Sequence, residues 1–232
     1  MQYFALLIST ERDLTPDERA ATMTAYQQFH AKAGSAIRAG DALAPAATGV
    51  RITGGPNAPT VTDGPFAEAA EVACGYYVFE AENLDEALAL ARDIPAASHG
   101  VIEVRPIYHP FDPDWSRAGG QWLALLLEPP GSALAPGTPE WQAEAARHGE
   151  FATAASDHII GGAPLHEPTT ATTVRVRDGQ LLLTDGPYAE GAEIATGFYL
   201  LAAADRDEAV KLAAMIPATA VQLRQLAGVS GL

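Results

Sequence analysis

The sequence is short of four things, and each shortage narrows what the chain can be. Its single cysteine, Cys74, cannot form an internal disulfide, so packing has to hold the fold. No apolar run approaches the roughly 18 residues of a membrane span, so no spanning helix is expected. Basic residues are scarce, 14 Lys and Arg against 29 Asp and Glu, for a net charge of −15. A surface that acidic repels phosphate backbones and anionic bilayers, which argues against nucleic-acid and membrane partners and leaves a basic protein partner open. Finally, the chain has no phosphate-binding loop, dinucleotide fingerprint or nucleophile elbow, and its six histidines show no HExxH or CxxC spacing. Neither a cofactor nor a metal is therefore expected. The opening MQYFALLIST lacks a basic n-region and an adequate apolar stretch, so the expected location is cytoplasmic.

What the sequence does contain, it contains twice. Residues 63 to 95 reappear without a gap as residues 185 to 217, with 18 of 33 positions identical. The chain is an internal duplication of a unit of about 110 residues. The acidity is shared as well: residues 1 to 118 hold 8 basic and 16 acidic side chains, residues 119 to 232 hold 6 and 13. The expected division is a first domain over 1–110, a linker over 111–120 and a second domain over 121–232. The Pro-containing, Gly-Gly-terminated stretch YHPFDPDWSRAGG supplies the break.

Each copy opens with an apolar strand, Tyr3 to Ile8 and Trp122 to Leu127. A helix follows, announced by Thr15-Pro16 and Thr138-Pro139, with Thr as N-cap and Pro at the first helical position. Glu18 completes a capping box. Gly40 and Gly162 are read as ending these helices. Val50 to Thr53 with Thr60 to Thr62, and Thr172 to Arg177 with Leu181 to Thr184, are expected as hairpins. Strands Gly75 to Ala81 and Gly197 to Ala203 precede helices whose starts are marked by Asn83 with Glu86 and by Asp205 with Glu208. Val101 to Arg105 and Ala220 to Arg224 close the units. The order predicts an α+β fold of two ferredoxin-like βαββαβ units. Each unit has both helices on one face of an antiparallel sheet, and the other face is covered by the second copy.

The DGPF and DGPY motifs followed by Ala-Glu-x-x-Glu, the Gly-Tyr/Phe-Tyr strand, the Asp-Glu-Ala helix start and the closing Glu-Val-Arg-Pro of residues 103–106 resemble the DGPF, or YCII-related, domain family. The resemblance runs through nearly the whole chain, once per copy. It implies a dimeric α/β barrel closed within one chain, hence a monomer with an internal pseudo-twofold. It brings no settled reaction. Relatives include a dehydrochlorinase of small aromatics thought to use a His and an Asp, and many look like partners of extracytoplasmic-function sigma factors. Carried onto this chain, the resemblance makes His30 and Asp63 the candidate catalytic pair. His30 matches the family's helix histidine, the aligned residue in the second copy is Ala152, and His148 stands one turn earlier. Any acid–base site is therefore expected in the first copy, whose cleft should be the more polar.

Asp185, His148, Tyr77 and Tyr199 are the candidate substrate-binding residues. Alternative readings stand beside these. Asp-Gly-Pro is a turn former in its own right, His30 fits an ordinary half-buried helix position, and Tyr77 and Tyr199 fit a core lining. Glu68, Glu71, Glu190 and Glu193 are either a solvent-facing turn or a pocket rim, and Cys74 is read as a small buried filler. Two functions remain open: binding or transforming a small organic molecule by His/Asp chemistry, and a non-catalytic regulatory role with a protein partner.

Overall fold

A computed structural model describes residues 1–64, 71–132, 134–135, 137–188 and 193–229. Four helices and twelve strands are assigned among them. The first copy runs β1 (Gln2–Ser9), α1 (Pro16–Ala33), β2 (Ile37–Ala42), β3 (Val50–Thr53), β4 (Thr60–Asp63), β5 (Val72–Glu80), α2 (Leu84–Asp93) and β6 (Val101–Pro106). The second repeats it as β7 (Gly120–Glu128), α3 (Pro139–Ala154), β8 (Ile159–Pro164), β9 (Thr172–Arg177), β10 (Gln180–Asp185), β11 (Ile194–Ala203), α4 (Arg206–Ala214) and β12 (Ala220–Gln225).

All four helices start on the cap that the sequence supplies. Thr15 and Glu18 form the reciprocal capping box, and Thr138, Asn83 and Asp205 accept from the amides of Trp141, Glu86 and Glu208. Each such cap contributes about 1 kcal/mol. The helix ends differ from expectation. α1 stops at Ala33 and is capped by Gly34 at φ 51°, while Gly40 and Gly162 lie inside β2 and β8.

The strands form two six-stranded antiparallel sheets, in the orders β10-β9-β6-β1-β5-β2 and β4-β3-β12-β7-β11-β8. Within each sheet four strands of one copy carry the ferredoxin-like order, and the outer two are the hairpin arm of the other copy. Arm exchange rests on two ladders, Ile102 to Val104 against Thr172 to Val174 and Ala220 to Leu223 against Val50 to Thr53. Both arms have the same length but different tips. In the second copy Asp178 (φ 52°) and Gly179 (φ 74°) make a tight turn of type I′ character, so the ladder runs out to Arg177 and Gln180. In the first copy the prolines at 56 and 59 cannot donate to a ladder, and pairing stops at Thr53 and Thr60.

The sheets face one another across a closed interior. Phe4, Leu6, Tyr76 and Val78 from one side meet Leu123, Leu125, Phe198 and Leu200 from the other, with the rings of Phe4 and Phe198 stacked 4.5 Å apart. Burying each large apolar side chain contributes roughly 1.5–3 kcal/mol. Two pseudo-equivalent bridges, Leu43 to Leu226 and Ile107 to Leu165, join the sheets along both seams. Residues between the copies take part as well, since Phe111 is buried against Phe198. The helices pack on the outer faces, over cores containing Phe29, Tyr77 and Phe79 in the first copy and Phe151, Trp122 and Leu201 in the second. The expected sheet-to-sheet α+β architecture is what forms.

Two arginines, each with a side chain only 1% exposed, tie the halves together. Arg105 donates to the carbonyl of Ala195, and at the equivalent place Arg224 donates to the carbonyl of Ala73 at 3.2 Å. Arg105 also pairs with Glu103. The corresponding residue in the second copy is Gln222, and Arg224 turns instead to the carbonyl of Ala44 and to Glu11 at 3.4 Å. A buried guanidinium is tolerable only with such partners, which here lie mostly in the other copy.

Candidate functional site

The outer face of each sheet, under the first helix of each copy, brings a histidine to a tyrosine. Tyr77 and Tyr199 occupy equivalent positions on β5 and β11 and point toward the helices, because Tyr76 and Phe198 beside them point into the barrel. Each tyrosine ring lies across a bare strand position: a Cβ at Gly40 would collide with Tyr77, and one at Gly162 with Tyr199. That is why these strand positions are glycine. Phe29 and Phe151 meet the same rings edge-on at 5.3 and 5.0 Å.

The histidines arrive from different places. His30 Nε2 lies 2.7 Å from the Tyr77 hydroxyl, and His148 Nδ1 lies 3.0 Å from the Tyr199 hydroxyl. By the repeat, His148 corresponds to Tyr26 and His30 to Ala152. The second copy therefore reaches the same hydroxyl from one helical turn earlier, using the other ring nitrogen.

In the second copy this pair lines a groove of about 1200 Å³ between α3 and the sheet. Its helix wall is one face of α3, Trp141, Glu144, Ala145, His148 and Phe151, spaced at i, i+3, i+4, i+7 and i+10. Across from it lie Gly162 to Leu165 of the β8 edge and Thr196 to Tyr199 of β11, and Met215, Pro217 and Thr219 sit near the end of α4. The open arm tip of the first copy, Gly54 to Asn57, contributes a further wall, so residues of both copies build this groove. Tyr108 links the aromatic side, with ring centroids 5.6 Å from Trp141, 5.0 Å from His166 and 4.7 Å from His109.

The electrostatics favour a neutral imidazole beside a neutral phenol. Burial pushes the His148 pKa below its usual value, helped by Arg147 and opposed by Glu144 and Glu128. Burial also pushes Tyr199 up to about 12. Glu144 Oε1 stands 3.7 Å from His148 Nε2. A carboxylate there favours a proton on Nε2, so the assigned arrangement has the Tyr199 O–H donating to Nδ1. Such a unit can pass a proton to or from a group bound in the groove.

The acidic partner expected for the histidine is elsewhere. Asp63 ends β4 at the outer edge of the opposite sheet, where its side chain is 73% exposed and pairs with Arg206 of α4. Arm exchange carries it away from the sheet that holds His30. Asp185 likewise ends the exposed β10 and is not in the groove lining. The Asp-Gly positions serve the turn: Gly64 donates to Gly49 O and Gly186 to Ala171 O, seating each strand end. His148, placed by the sequence one turn before the aligned Ala152, lies in this groove, while a smaller first-copy pocket is lined by Lys32, Glu86, Arg92 and Asp93 and does not include His30. Glu68 and Glu190 fall outside the described residues. Glu71 accepts from the Tyr188 hydroxyl, and Glu193 from Arg51 at 2.5 Å, which makes both of them ties between copies. Cys74 is half-buried, its thiol donating to Leu7 O at 3.4 Å and its pKa raised by burial. Among the described residues no group of three or more His, Cys, Asp or Glu side chains could hold a metal. No helix there is long and apolar enough to cross a membrane.

Trp141, Tyr108 and His166 were not anticipated as site residues. The i, i+7 spacing of Trp141 and His148 on α3 was the available signal for the helix wall; nothing local marks Tyr108 or His166.

Comparison with known proteins agrees with the duplication. A curated relative, an uncharacterized protein of Rhizobium meliloti (strain 1021), is 51% identical over 49 residues, 20% of this chain and 40% of the relative. The match thus spans less than half of that relative's length. Among solved structures, one described as a presumed chlorite dismutase aligns over 99% of this chain and 97% of its own at 9% identity with a TM-score of 0.42, too distant to inform the site. The family model for the YCII-related domain matches twice, over residues 1–112 and 124–225. With nearly its whole length matched, one domain per copy, the chain belongs to the YCII-related domain family.

Proposed function

We propose that the protein binds a small organic molecule in the groove of its second copy and that His148 and Tyr199 carry a proton-transfer step on it. The observation that supports this reading is the 3.0 Å contact between the His148 imidazole, whose pKa burial lowers, and the Tyr199 phenol on the wall of a large, mainly apolar groove. A general base works best when unprotonated at the operating pH and close to a partner that holds its tautomer, and the His148 arrangement meets both conditions. The carboxylate in this reading is Glu144, not Asp63.

The test is deuterium uptake by a panel of small carbon acids incubated with the protein in D2O and followed by NMR. Uptake by wild type and by His30→Ala is expected, with losses of about 10²-fold or more in His148→Ala and Tyr199→Phe. Equal rates in wild type and His148→Ala would overturn the assignment.

A second reading, a non-catalytic interaction protein, draws on a different observation. Leu181, Leu182 and Leu183 are 40%, 46% and 49% exposed on β10, an edge strand whose outer backbone row is unpaired among the described residues. Such an edge invites pairing with another chain. If the partner is a sigma factor, as the family resemblance implies, Leu181→Lys combined with Leu183→Lys should abolish the complex in light scattering and leave groove chemistry intact. A complex unaffected by those changes would remove the edge from consideration.

A further inference from the structure

Resting on the reading that the second-copy groove is the ligand site, we infer that its ligand is an organic amine: an apolar, aromatic-sized body carrying a positively charged head group. Two independent features of the lining lead there. The first is charge. Arg147, the cation on the α3 side, is already engaged by Glu144, and no lysine is among the described lining residues. Carboxylates outnumber it. Glu128 is held by the Thr219 amide at 2.9 Å, whereas Glu150 and Glu167 are exposed on the lining and carry no ion pair among the described residues. An anionic ligand entering here would meet repulsion with no free guanidinium or ammonium among the described lining residues, where His109, His148 and His166 are the other groups able to carry a positive charge, on a chain whose net charge is already −15.

The second feature is aromatic. Tyr108 and Trp141 are half-buried, line the same groove and touch one another with centroids 5.6 Å apart. Indole and phenol faces attract ammonium groups, and do so more strongly where water is partly excluded. Aromatic faces and carboxylates without an ion pair are two components by which proteins hold organic cations, and both line this groove, while the apolar walls of Phe151, Leu165 and Met215 accept the body of the ligand. A neutral isostere would gain the apolar contacts only.

The experiment compares 2-phenylethylamine, 2-phenylethanol and phenylacetate, which share a ring and differ in head-group charge. Binding to the full chain is measured by titration calorimetry at low salt and mapped by amide NMR shifts. The amine is expected to bind roughly tenfold tighter than the alcohol, with phenylacetate weakest. Added salt should shrink the amine's advantage, as should a Glu150→Gln/Glu167→Gln double variant at two exposed positions, and Trp141→Ala should weaken amine binding most. If the alcohol binds as well as the amine, or phenylacetate binds best, and the shifts still map to Trp141 and His148, the groove stands and the cation inference is overturned. If no probe binds, or none of the shifts falls in the groove, the inference and the proposed location of the site both fail.

Discussion

At the scale of single residues, the two copies test each other. Tyr76 is fully buried in the barrel interior, and its hydroxyl has no hydrogen-bond partner among the described residues, whereas Phe198 fills the equivalent position. An unsatisfied buried hydroxyl costs on the order of 1 kcal/mol. Tyr76→Phe should accordingly raise stability by about 1 kcal/mol in urea unfolding, with the fold unchanged. His148 supplies a second prediction with a definite sign. Its native pKa is depressed, mainly by burial, so the unfolded state binds the proton more readily. Stability should fall as pH is lowered from about 6.5 toward the native pKa and level off below it. His148→Gln should reduce that slope, as read from unfolding midpoints across pH, leaving the part that His99 contributes, since burial lowers its pKa as well. Any activity based on neutral His148 should persist below pH 6.5, placing the acid limb of kcat/KM on the acidic side of an ordinary histidine. The phenol of Tyr199 ionises only near 12 and should contribute no alkaline limb below about pH 10.

Among the elements, the strand glycines and the arm tips matter most. Gly162 leaves the strand surface on which the Tyr199 ring lies, and an added Cβ would also approach the Phe198 carbonyl oxygen to 2.8 Å. Gly162→Ala should cost about 1–3 kcal/mol by overpacking, measured by urea denaturation, and should shift Tyr199 away from His148. Helix starts were legible in the sequence because a cap is a local chemical event: Thr15, Asn83, Thr138 and Asp205 each need only the amide three residues on. The glycines were misread as helix ends because their purpose is set by tyrosines nearly 40 residues away. His148 differs, because its place one turn before the aligned Ala152 already marks it as a candidate in the sequence. Alignment alone marks its copy as lacking the family histidine, and only the packed helix shows it reaching the equivalent hydroxyl.

For the whole molecule, the exchanged arms bind the halves into one folding unit. Each sheet needs two strands from the other copy, the interior core takes side chains from both, and Arg105 and Arg224 find partners across the divide. Residues 1–118 expressed alone would expose one face of their sheet and leave β6 without its neighbour β9. Circular dichroism and thermal melting should show no cooperative unfolding for either half at low concentration, and mixing the halves should restore it. Cooperative unfolding of an isolated, monomeric half would show that the exchange contributes little.

The sequence by itself determined the duplication, the capped helices, the alternating strands and the acidic surface, since repeats, caps, period-two patterning and charge are properties of neighbouring residues. The pairing of one unit's open sheet face with the other followed from simple burial. Tertiary structure alone decided which of these side chains meet. The arm crosses to the opposite sheet and takes Asp63 to Arg206, α3 brings His148 to Tyr199, and the proline-broken tip of the first copy helps wall the groove of the second. Those placements depend on contacts between residues tens to more than a hundred positions apart, whose energies no local pattern encodes.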